Sequence, residues 1–236
     1  MSTDNTQATM AIARDAIALG KAAPSLLSSP LTSDDHRVSA AALARLAVLI
    51  ELQSNADDGA DELCCATARI VVQTWIIGHS VLLLGEAGRA EVERHESATR
   101  ALVLGSVPGP TESAPGPSLL DLARRLDAHV YGAIDPPRAF QRHVRSFYDE
   151  IDISGVEGTR SRLLAASAGP AQVSRPTQVD YVRVGLWVLL FLAHDHYAAV
   201  GAIEHARSAR ALFDRLREAT DAFYARRRQE RSAPPS

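Results

Sequence analysis

Lysine is almost missing from this chain: Lys21 is the only one among 25 basic residues, which face 28 acidic ones for a net charge of −3. A chain so balanced, with its cations nearly all arginine, is not built to neutralise a phosphate backbone, so nucleic acid is excluded as the main partner. Cysteine is scarce too. Cys64 and Cys65 are adjacent, too few and too close for a disulfide framework or a zinc site, and read as small apolar residues on a helix in a reducing compartment. The alternation of β-branched and polar residues that marks strands is absent. Long hydrophobic runs are absent as well. The segments 70–84, which contains Gln73 and His79, and 182–193 fall short of the roughly 20 residues that span a bilayer, so both are expected to be buried core helices and no membrane span is predicted. The opening MSTDNTQATM lacks the basic-then-apolar order of a secretory signal, which predicts a cytoplasmic protein. No fixed-period repeat points to a solenoid.

What is present is ample apolar material: 46% of the 236 residues are hydrophobic and 22% are charged, enough for a packed core. Ala, Leu and Arg recur at helical spacing, and the fold class is all-α. Residues 1–35 are polar and small, with Pro24 and Pro30, and are expected to form a flexible N-terminal arm in which 9–20 can make a short helix. One all-α domain then covers 36–230. Its first helix starts near Ser39 and carries Leu43, Leu46, Leu49 and Ile50. A long apolar helix runs from Glu62 to about Gly85 through Trp75, followed by a polar helical stretch to Leu104. The segment 105–117 is a Pro/Gly-rich connection that blocks helix and strand alike. Beyond it come amphipathic helices marked by Leu119, Leu122, Leu126 and Val130, and by Phe140, Val144, Phe147 and Ile151. An apolar helix over roughly 177–200 and a last one marked by Leu212, Phe213, Leu216 and Phe223 complete the domain. A disordered tail is expected over 231–236.

The order of these segments and several local phrases resemble the class I terpene synthases. Leu119-Leu120-Asp121-Leu122-Ala123-Arg124-Arg125-Leu126 is similar to that family's short helix ending in Arg-Arg-Leu. Residues Phe140 to Tyr148, followed by Glu157 and Arg160, are similar to the helix after it. Arg175-Pro176-Thr177-Gln178-Val179-Asp180-Tyr181 is similar to the phrase that opens its central helix. Residues 68–84 and 205–230 are similar to the helices that carry its two metal motifs. The likeness spans about residues 40–230. It implies a helical bundle of the isoprenoid type, in which an apolar cavity folds a prenyl chain and Mg2+ neutralises the leaving diphosphate. Under that resemblance Asp221 and Glu230 would hold magnesium, Arg183, Arg227 and Arg228 would hold phosphate oxygens, and Tyr181 would face the substrate. Trp75 and Trp187, inside apolar helices, would line the cavity and steady positive charge, or simply pack the core.

The chain departs from the family's pattern at the motifs themselves. Where Asp-Asp-x-x-Asp would fall it reads Gly78-His79-Ser80-Val81-Leu82-Leu83-Leu84-Gly85-Glu86, with one acid. Where the second motif would close on an acid it has Arg228, and Gly185 takes the place of the diphosphate-sensing arginine. An Asp-Asp-x-x-Asp string does exist at Asp57, Asp58 and Asp61, and such spacing can gather carboxylates around one divalent ion. It precedes the apolar helix instead of following it, and it equally reads as an acidic turn favourable to the next helix dipole.

Two further patterns stand in the sequence. His194, Asp195 and His196 with Glu204 and His205 are ligand-type residues for zinc or iron, but neighbours on a helix diverge, which favours solvated or capping roles. Arg89 with His95 and Arg138 with His143 match the Arg-to-His spacing of helical HEPN ribonucleases, a spacing that recurs by chance in an arginine-rich chain. Two functions therefore stand open. One is an atypical terpene cyclase, with relocated magnesium ligands or with Asp195 or Glu204 as a proton-donating acid. The other is a non-catalytic helical protein that binds an apolar ligand or a partner subunit, a second copy of the chain included.

Overall fold

The computed structural model describes residues 3–27, 33–56, 61–104, 119–131 and 178–232. Among them the chain is all-helical, without strands, as its composition predicts. The helices are α1 (Thr3–Ala22), a 3-10 turn (Ala23–Leu26), α2 (Asp34–Ser54), α3 (Asp61–Leu104), α4 (Leu119–Tyr131), α5 (Gln178–Ala199) and α6 (Ile203–Ser232). The linker at 105–117, the Phe140–Ile151 stripe, Glu157, Arg160, Arg138 and His143 lie outside the described residues. α6 runs through Ser232, so helix replaces the tail expected at 231 and 232.

Local chemistry sets the ends. The Ser33 side chain accepts from the His36 amide and caps α2, with Asp34 and Asp35 in the first turn where the helix dipole favours them. Gly201 at φ 74° lets α5 turn into α6. The Ala202 amide donates to the Tyr197 carbonyl at 2.8 Å and the Gly201 amide to that of Ala198 at 3.2 Å, the paired closure that needs a left-handed residue. The break inside α3 is sharper. Gly85 has φ 57° and ψ −132°, a conformation reserved for glycine. A Cβ on Gly88 would collide with the carbonyl oxygen of Ser80, an atom that a straight helix would carry about 12 Å away. α3 is thus two limbs, 61–84 and 86–104, folded against each other.

The core sits between α2, the first limb of α3, and α5, where Leu43, Leu46, Ile50, Ile76, Leu186, Leu189, Leu190 and Leu192 are fully buried. α1 covers it. Ile12, Ala13, Ala16 and Ile17 are buried, and the Tyr197 hydroxyl donates to the Leu19 carbonyl at 2.6 Å. The expected flexible arm is therefore corrected over 3–22: this segment is a core helix, because alanine and glycine on one face let it lie close against α2 and α5. At one end of the bundle the Gln178 side chain donates to the carbonyls of Gln53 at 2.7 Å and Ala56 at 2.9 Å. The opposite end of α5 holds the polar cluster described next.

Candidate functional site

Four histidines meet where the first limb of α3 ends, α2 begins and α5 finishes. On α3, His79 is 3% exposed and its Nε2 lies 2.9 Å from Oδ2 of Asp195 on α5. The other oxygen of that carboxylate lies 3.0 Å from Nδ1 of His194. Burial alone would push Asp195 upward, but the hydrogen bond and charge of His79, then those of His194, outweigh it and hold the carboxyl below its usual range. Asp195 is thus an ionised acceptor at neutral pH. Its available chemistry is to orient and stabilise imidazole rings, as a carboxylate behind a histidine does, and not to donate the proton assigned to it from the sequence.

One position on, the His196 ring is fully buried. Its Nδ1 lies 2.8 Å from Ser39 Oγ, which also reaches the His36 carbonyl at 3.0 Å. The serine has one hydrogen, and giving it to that carbonyl makes His196 Nδ1 the donor. Burial first, and the neighbouring His36 second, lower the His196 pKa to about 4, so the ring is neutral. Two ring contacts complete the cluster: Trp75 stands edge-on to His79 at 5.4 Å, and His36 to His196 at 6.5 Å. Arg89, on the second limb of α3, pairs with Asp35 of α2 at 3.1 Å and ties the folded-back limb to this end.

The residues singled out from the sequence scatter around this cluster. Arg183 is buried, 3.5 Å from Asp180 and 3.4 Å from Thr9 Oγ1, with its guanidinium 4.2 Å over the Phe223 ring; this arginine ties α1, α5 and α6 together. Trp187 packs edge-on against Phe213 at 4.6 Å, a seam between α5 and α6, and Trp75 and Tyr181 are buried. Glu204 is exposed in the first turn of α6 and pairs with Arg207 at 2.6 Å, and Asp221 is exposed. Asp57 and Asp58 lie outside the described residues, as do the side chains of Asp61, Arg227, Arg228 and Glu230. Among the described residues no group of three His, Cys, Asp or Glu side chains is placed to hold a metal ion. His79, Asp195 and His194 form a chain instead, because the two rings take opposite oxygens of one carboxylate. Cys64 is buried in the core, as its setting in the sequence suggests.

His79 is what sequence reasoning missed. It was visible only as a polar interruption in an apolar run, and its partner lies 116 residues away. Compared with protein-family models, with curated proteins and with solved structures, the chain finds no match.

Proposed function

We propose that this chain is a non-catalytic helical protein that works by binding a partner subunit, a second copy of itself, on a bundle related in plan to the terpene synthases but without diphosphate chemistry. The observation that carries this reading is the closure of the seams that would have to part around a prenyl chain. A Cβ on Gly78, at the place of the first metal motif, would lie 2.6 Å from Ala42 Cβ and 3.0 Å from Leu192. One on Gly185 would lie 2.7 Å from Ile50, and one on Gly20 3.0 Å from both Ala47 and Leu189. Helices packed this closely leave their apolar capacity on the outside. There Val48 and Leu52 of α2 and Leu63 and Ile70 of α3 are exposed on neighbouring helices that Gln53 ties together through Cys64 and Thr67. Aliphatic surface of this kind marks contact sites, and a self-complementary patch closes into a two-fold dimer. By length and composition α3 also holds one stretch, Ala66–Ser97, apolar enough to cross a membrane, with less than half of its apolar 18-residue portion buried; Gly85 breaks that stretch into two folded limbs.

Light scattering should give a dimer for the wild type and a monomer for Leu52→Asp/Leu63→Asp with unchanged helical circular dichroism. A wild-type monomer would remove the self-association, and a monomer that floats with phosphatidylcholine vesicles, unlike the variant, would replace the partner by a membrane. Incubation with geranyl, farnesyl and geranylgeranyl diphosphates should release no pyrophosphate, with or without Mg2+. Magnesium-dependent release with a cyclised product would restore the cyclase.

A further inference from the structure

α3 is folded back on a single residue. Of its 44 residues only Gly85 has non-helical torsions, so turning that one residue to helical φ and ψ would make α3 a straight rod about 66 Å long. The two arrangements satisfy different groups. A helix end leaves several backbone groups without partners inside the helix, and the reversal creates two such ends at Gly85 where a straight helix has none. Against this stand the contacts of the second limb, and they are weak. Among the side chains described from 86 to 97, Val92 is the one buried aliphatic group. Glu91 is buried beside it, with Oε1 paired to Arg125 of α4 and Oε2 without a hydrogen-bond partner among the described residues. Ser80 Oγ, near the end of the first limb, is buried and unpartnered in the same way, and such atoms cost a seam stability. Towards α2 the limb is tied by the partly exposed pair of Arg89 with Asp35, a kind of contact that contributes little. α4 packs chiefly on α3 and is joined to the second limb by Arg125.

We propose that Gly85 is a hinge and that α3 straightens in a domain-swapped dimer, in which residues 86–104 and α4 of each chain pack on the bundle of a second copy. Opening within one chain would forfeit the seam. Opening in two chains keeps it, because Arg89 meets Asp35 of the second copy and Val92 meets the side chains it meets at home. The swapped dimer adds the continuous helix at Gly85, and the entropy of association is what opposes it. The return to α5 is no obstacle, since the stretch 132–177 between α4 and α5 reaches far enough at about 3.3 Å a residue. The partner rests on the reading above, a second copy. The surface is a different one, the surface that the limb itself covers, and the aliphatic patch of α2 and α3 takes no part in it.

The test uses the full chain carrying Leu52→Asp/Leu63→Asp, so that the patch is silent and the two associations are read apart. One batch also carries Asp35→Cys and the other Arg89→Cys. The batches are mixed, incubated at rising concentration and joined with a short thiol cross-linker, and each batch alone controls for the native cysteines. A product containing one chain of each kind should appear and grow with concentration, because only a swapped pair sets position 35 of one chain against position 89 of another. Gly85→Ala in both batches should raise the association constant about a hundredfold, roughly tenfold for each chain, since alanine resists the positive φ of the reversal but not the straight helix. Helical circular dichroism should be unchanged, and light scattering should give a dimer. A folded Gly85→Ala monomer, a dimer without the mixed product, or a variant that floats with phosphatidylcholine vesicles instead of pairing would each overturn the proposal. Should Gly85→Ala fail to fold, the mixture with Gly85 intact decides, and absence of the mixed product at every concentration overturns the swap. A swap seen while the unsubstituted patch gives no dimer of its own would remove the earlier association and leave this one standing.

Discussion

Gly78→Val should lower the stability of this protein by about 3 kcal/mol, the upper part of the usual range for overpacking a closed core. The Cβ it adds has nowhere to go. It would sit 2.6 Å from Ala42 Cβ, which belongs to a neighbouring helix and has no torsion with which to retreat, and 3.0 Å from Cδ2 of the fully buried Leu192. The seam must open, and in a chain of this size such a loss lowers Tm by roughly 10 °C. The same substitution discriminates between the two functions. If residue 78 faced the mouth of a cavity, as the first metal motif of a terpene synthase would, valine would meet open space and, being a better helix former than glycine, would be neutral or mildly stabilising. Thermal unfolding followed by circular dichroism decides, with Gly78→Ala as the smaller step. An unchanged or raised Tm for the valine variant would reopen the cavity and the cyclase with it.

Acid should weaken the fold between pH 6.5 and about 4, and His196 should account for about 3 kcal/mol of the loss. Its folded pKa of about 4 lies below the 6.5 of the free side chain. Within that window the unfolded chain binds the proton and the folded chain does not, so stability falls as pH falls, at about 1.4 kcal/mol for each unit of separation. The stability from the neutral ring is complete above pH 6.5 and exhausted near pH 4. Asp195 acts in a different range: its carboxyl is held below 3.8, so the stability it supplies is present above that value and disappears only in stronger acid. Urea unfolding at pH 7, 6 and 5 checks the slope, and His196→Gln isolates its origin. The variant should be less stable at pH 7, having lost the fit against Ser39 and His36, and should show a flatter dependence on pH. Parallel slopes for the two proteins would place the acid sensitivity elsewhere.

Both expectations turn on features that sequence patterns render unequally. The leucine and valine spacing located α2, both limbs of α3, α4, α5 and α6 to within a few residues, because amphipathic periodicity is written into each segment separately. α1 escaped that reading. Its buried face is Ile12, Ala13, Ala16 and Ile17 among threonine, asparagine and glutamine, a stripe too weakly apolar to register, and its place in the core comes from the close approach that small residues permit. Gly85 was legible as the end of the apolar helix but not as a reversal, since a single glycine among helix formers does not state how the next limb folds back. Gly78, Gly185 and Gly20 were legible as glycines only; what makes them matter is the atoms across the seam.

The candidate site divides in the same way. His194, Asp195 and His196 were noticed as a run of ligand-type residues, and the divergence of helical neighbours already argued against a shared metal. Helix content, the balance of charge and the absence of strands follow from local propensity and composition, which need no knowledge of neighbours, and the residues in order were enough for them. The pairing of His79 with Asp195, the burial of His196 against Ser39, and the closing of the bundle centre arise when α2, α3 and α5 come together. Protonation and orientation depend on the charges, donors and loss of water supplied from other helices, and contacts of that kind exist only in the assembled fold.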